Sequence, residues 1–176
     1  MGKEFVRHSV STLILLVLVS LLKGWLDLSV WPLWIGGVVG TILPDIDHLL
    51  YIYLNPQELT SQRAVYMAGK GQIMQTFRFL AETRSERKNL IFHTILFQGI
   101  FLILTVFILT SSGSIFGRGL VLAFYLHLLV DAYVDWKETG GLENWFKNSP
   151  IVIPQDKIAT YFMVNIILLA FLAIFL

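Results

Sequence analysis

The stretch from Gly40 to Leu50, GTILPDIDHLL, places Asp45, Asp47 and His48 inside an otherwise apolar run. SVWPLWIGGVV lies upstream and YIYL downstream, so the interruption falls in a segment long enough to cross a bilayer. Pro44 stands four residues beyond Gly40, and its ring removes the hydrogen bond to the Gly40 carbonyl. The helix is therefore expected to kink or partly unwind where PDIDH begins. Broken backbone at membrane depth is tolerated where it lines a cavity or packs against protein. Gly36 and Gly40 form a small-xxx-small pair, which lets a neighbouring backbone approach closely.

The rest of the chain has the same character. It has 176 residues, of which 56% are hydrophobic and only 14% charged, with a mean hydropathy of +0.71. Soluble domains carry about 25% charged residues, so this is an integral membrane protein of all-α class. Spans are expected at about 8–23, 30–54, 89–110, 115–135 and 157–176, joined into one helical bundle with a loop at 55–88. The first run has basic residues before an apolar core, as a signal peptide does, but the LLKGWLDL that follows is too bulky for a cleavage site. It is read as a retained helix. Cysteine is absent, which excludes disulfides and thiolate chemistry.

Charge distribution sets the expected topology. Lys3, Arg7, Arg63, Lys70, Arg78, Arg84, Arg87, Lys88, Lys137, Lys147 and Lys157 fall in the N-terminus and in the loops after spans two and four. Only Lys23 and Arg118 fall on the other side. Basic loops stay cytoplasmic, so the N-terminus is expected inside and the C-terminus outside. The stretch AVYMAGKGQIMQTFRFLAETRSERK mixes apolar and basic residues at helical spacing, consistent with an interfacial helix or with a solvated loop.

Every histidine lies in or at the edge of a span: His8, His48, His93 and His127. His127, Asp131 and Asp135 recur at i, i+4 and i+8, along one face of a helix. Asp45 and His48 are i, i+3 neighbours, and Asp47 joins them if Pro44 unwinds the turn. With the expected topology, these groups from four helices all fall in the cytoplasmic half of the bilayer. An aspartate at the bilayer centre costs about 2.5–3.5 kcal/mol on insertion scales, so several of them call for a shared site. Histidine and carboxylate ligands without cysteine suit Zn, Mn or non-haem Fe, and Mg where carboxylates dominate. There are enough ligands for one ion or two.

PDIDH after a glycine-bearing span, an N-terminal histidine, HT at the start of a later span and HLLVDAYVD together resemble the small prokaryotic membrane-bound metal-dependent hydrolases of the YdjM type, named for LexA-regulated members. The resemblance runs from His8 to about Trp136 and implies a multispanning inner-membrane fold with a divalent-metal hydrolase site. Members often carry histidine-arginine followed by threonine-histidine-serine. Here KNLIFHT matches only at His93 and Thr94, and Lys88 replaces the first histidine.

Taken together, Asp45, Asp47, His48, His127 and Asp131 are the expected metal ligands. His93, Asp135 and His8 are expected as further ligands or as general acid and base, and Lys88 and Arg87 to engage a substrate phosphate. The expected substrate is amphiphilic or phosphorylated, at the cytoplasmic leaflet among membrane lipids. No nucleic-acid partner is expected, and a homo-oligomer is compatible with the sequence. The rivals are an ion or proton transporter, since intramembrane Asp/His chains also mark such pathways, and a non-catalytic assembly protein. Reporter fusions check the topology: a fusion after Asn55 should report the cytoplasm and a C-terminal fusion the outside, and a cytoplasmic C-terminal signal would remove one span.

Overall fold

Proline, glycine and capping residues divide the chain where its hydropathy does. The computed structural model describes residues 2–87, 89–147, 149–151 and 153–174. Among these there are only helices and connecting turns: α1 (Gly2–Lys23), α2 (Trp31–Ile42), α3 (Ile46–Leu54), α4 (Leu59–Gly69), α5 (Ile73–Glu82), α6 (Ile95–Ser111), α7 (Ile115–Thr139), the single turn α8 (Glu143–Phe146) and α9 (Ile158–Ile174). Pro32 sits in the first turn of α2, where its missing N–H costs nothing. Ser114 caps α7 by accepting the Gly117 N–H at 3.1 Å. Gly140 ends α7 in the left-handed conformation at φ +79°, where a Cβ would be strained.

Four stretches are long and apolar enough to span a membrane: Glu4–Lys23, Leu28–Leu54, Ile115–Thr139 and Gln155–Ile174. The expected third span is shorter than its hydropathy suggests. Hydropathy starts it at residue 89, but α6 begins at Ile95 and has 17 residues, about 25 Å at 1.5 Å per residue. The reason is local. Asp47 takes the N–H groups of Ile91 and Phe92, and the Thr94 hydroxyl then accepts from Phe97 N–H as the cap. The loop after span two contains α4 and α5, and α5 exposes Ile73, Met74 and Phe77 beside Arg78 while burying Thr76 and Leu80.

The second span is interrupted at the expected place. Leu43–Asp45 form a 3-10 turn between α2 and α3. Before it, α2 lies directly on α7. A Cβ added at Gly36 would collide with the Phe116 carbonyl oxygen, one at Gly40 with that of Leu120, and one at Gly119 with that of Leu33. Three glycines thus let the two backbones meet. α7 is the central helix, packed against α1, α2, α6 and α9, with Leu122, Ala123, Leu128 and Ala132 fully buried. The Thr12 and Thr41 hydroxyls, 2.8 Å apart, tie α1 to α2. On the far side, Tyr125 donates to Asn165 Oδ1 at 2.5 Å and Tyr161 donates to Gln98, joining α7, α9 and α6.

This packing makes a prediction. Gly36→Val or Gly40→Val must push α2 off α7 and should cost at least the roughly 1–3 kcal/mol of an overpacked core. Gly99, with nothing within 4 Å of a built Cβ, should accept alanine. Thermal unfolding in detergent compares the three; equal midpoints would refute the close α2–α7 contact.

Candidate metal centre

The 3-10 turn at Pro44 separates the two aspartates of PDIDH. Asp45 stays on the rim with its side chain 54% exposed, and its closest ring nitrogen is His127 Nε2 at 3.6 Å. Asp47 and His48 open α3 and turn inward, 1% and 8% exposed. Asp47 reaches the segment before α6. Its Oδ1 accepts from Ile91 N–H at 3.1 Å, and its Oδ2 accepts from Phe92 N–H at 2.6 Å and faces His93 Nδ1 at 3.2 Å. That bracing holds His93 5% exposed over α7.

At the centre is Asp131, with no exposed surface. His8 Nε2 from α1 lies 3.0 Å from its Oδ1, and Arg84 Nη1 lies 2.9 Å from the same oxygen. Its Oδ2 faces His93 Nε2 at 2.8 Å and His127 Nε2 at 3.1 Å. The rings of His8 and His127 stack with centroids 3.9 Å apart. His93 is bounded by carboxylates on both nitrogens. One turn along α7, Asp135 accepts from Trp145 Nε1 at 2.7 Å and from Arg84 Nη2 at 3.4 Å.

The structure gathers His8, His93, His127, Asp47 and Asp131, and leaves Asp45 at the edge. His8, at the start of the first span in the sequence, is 6% exposed and in the first circle around Asp131. His48 sits one layer out, its ring 5.2 Å from that of His93. Its Nδ1 accepts from Arg87 Nε at 3.0 Å, because a guanidinium only donates.

Arg87 is buried, and its remaining groups go to Thr83 Oγ1 at 3.1 Å and to the Leu80 carbonyl. It clamps α5 to α3. Burial first, and the nearby Arg84 charge next, push its pKa down to about 10. Lys88 lies outside the described residues. The cation that faces the carboxylates is Arg84, which sequence reasoning missed along with Glu4, 3.6 Å from its Nη1. Burial disfavours the Arg84 charge, but Asp131, Asp135 and Glu4 outweigh it and hold the guanidinium above its ordinary range.

The residues present fit a divalent cation. One ligand atom from each of His8, His127 and Asp131 lies within 4.8 Å of the others. Three protein ligands of N and O type, with room for a fourth, is the pattern of catalytic zinc. His93 Nδ1 on Asp47 resembles the carboxylate partner that orients a ligating imidazole. The Nδ1 atoms of His8 and His127 are buried without a partner.

A family model described as YdjM inner membrane protein matches residues 4–174, so the chain belongs to that family. No curated protein and no solved structure matches it.

The two aspartates of PDIDH should respond differently. Asp47→Ala strands two backbone N–H groups and His93 Nδ1, about 1–3 kcal/mol for each that stays buried and unpaired. Asp45→Asn, on the rim, should stay within about 0.5 kcal/mol of wild type. Denaturation in detergent measures both, and equal losses would contradict the inward turn after Pro44.

Proposed function

We propose that this member of the YdjM inner membrane protein family is a membrane-embedded metal-dependent hydrolase acting on a phosphoester of lipid-like character at the cytoplasmic leaflet. The observation that carries the reading is the convergence of three imidazole Nε2 atoms on one fully buried carboxylate, Asp131. His8, His127 and Asp131 would hold a divalent ion of the Zn, Mn or Mg class, with His93 braced beside them by Asp47. When bound, such an ion polarises a phosphoryl oxygen and brings the pKa of a water toward neutrality.

The chain's own groups do the rest. Arg84 presents a planar fork suited to phosphoryl oxygens. Asp135, 32% exposed and fixed by Trp145, can take a proton at Oδ1. His93, between Asp47 and Asp131, holds a proton at Nε2 for a leaving oxygen.

Two cavities of about 150 Å³ each meet at Arg84. One has His8, Asp45 and His48 at its polar end and Phe5, Ile42 and Phe77 along its wall. The other is mixed, with His93, Asp135, Thr139 and Asn144 beside Leu90 and Trp145. A mostly apolar wall on one side and a mixed, carboxylate-bearing one on the other suit an amphiphile whose head is cut with water.

Metal content and phosphoester hydrolysis, measured together on each variant, test this. Asp131→Ala, His127→Ala and His8→Ala should lose bound metal and activity together. Asp135→Asn should keep the metal and lose about 10²–10⁴-fold in turnover. Wild-type protein that purifies without metal and gains no activity from added Zn, Mn or Mg would defeat the proposal.

A further inference from the structure

Asp131 has no free acceptor site. His8 and Arg84 share its Oδ1, and His93 and His127 share its Oδ2, whereas an ionised carboxylate offers about four lone-pair sites. A cation that takes Asp131 as a ligand must therefore displace a donor. His8 and His127 can become ligands through the nitrogens that now face the carboxylate, each giving up its N–H there. A guanidinium cannot, because it has five donors and no acceptor, and it keeps its charge. Arg84, 2.9 Å from the oxygen that His8 also faces, therefore repels a cation bound there and is the group that gives way.

We propose that Arg84 is the resident counter-ion of this site: a divalent ion and Arg84 compete for Asp131, and the arginine displaced from it grips the anionic phosphoryl group of the substrate. The inference rests on the metal reading above and adds a residue that the motifs do not assign.

Its position supports the exchange. Arg84 begins a 3-10 turn, Arg84–Glu86, between α5 and the irregular segment before α6, so it can swing without unpacking a membrane helix. It lines both cavities. Its contact with Asp131 is 2.9 Å, while those with Asp135 and Glu4 are 3.4 and 3.6 Å. Losing Asp131 thus removes its one close partner and leaves two acceptors at the distance of a loosely held ion. Arg87 has no such freedom, with His48, Thr83 and Leu80 all bonded to it.

The test is Zn²⁺ affinity of the full chain in detergent, by competition with a chromophoric chelator, with and without inorganic phosphate. Arg84→Gln should bind Zn²⁺ about ten- to a hundredfold more tightly than wild type, since no charge-assisted bond has to break. In wild type, phosphate and Zn²⁺ should each raise the other's affinity about fivefold or more, and Arg84→Gln should lose that coupling. Arg84→Lys keeps a charge in place and should fall between the two, which guards against a folding defect in the glutamine variant. Arg84→Gln binding no more tightly than wild type, or keeping the full phosphate coupling, would overturn the proposal while leaving the metal reading intact. Failure of wild type and both variants to bind Zn²⁺ at all would overturn both.

Discussion

A carboxylate with no access to water, buried in a membrane bundle, is the constraint on which this architecture turns. Moving an ion of this kind out of water costs several kcal/mol even after relaxation, so Asp131 needs partners from wherever the chain can supply them. They come from four places: His8 on α1, Arg84 on the turn after α5, His93 before α6, and His127 one turn away on α7 itself. Each supplies one donor, and removing any of them leaves a lone pair of Asp131 unpaired. The site therefore stitches α1, α5, α6 and α7 at one end of the bundle, as the glycine contacts stitch α2 to α7 along its length.

The close α2–α7 approach matters chemically as well as structurally. Because Gly36, Gly40 and Gly119 remove the side chains between the two backbones, α2 delivers the Pro44 turn against α7 near Ala123 and His127. From there α3 points Asp47 away from α7 and into the segment before α6. Asp47 does not touch Asp131; the two carboxylates hold opposite nitrogens of one imidazole. His93 is thereby fixed in both rotation and position without being on a helix, which explains why the span stops short at Ile95 rather than running back to residue 89.

Much of this could be read from residue types and spacing. Periodicity places His127 and Asp131 on one face, the Gly36–Gly40 pair marks a close helix contact, and Pro44 marks the break. What the sequence left ambiguous was which of Asp45 and Asp47 turns inward, since that depends on the extra rotation of a 3-10 turn, about 20° per residue beyond an α-helix. Hydropathy does not reveal which face of α1 meets α7, so the burial of His8 is visible only in the packed bundle. Arg84 had no signal of its own. In ETRSERK it is one of several charges in a loop, the pattern of a solvated segment, and only the return of that loop over the bundle end makes it a buried cation.

The charge balance of the site bears on the proposed chemistry. Glu4, Asp131 and Asp135 face Arg84, and Asp47 and Asp131 flank His93. Arg87 turns instead to His48, Thr83 and Leu80. Four carboxylates thus meet one permanent cation, an excess that a divalent ion would compensate in a bundle where isolated charge is costly. Under the proposed displacement from Asp131, Arg84 would be left with Asp135 and Glu4 at 3.4 and 3.6 Å, and a phosphoryl oxygen would supply the close partner it had lost.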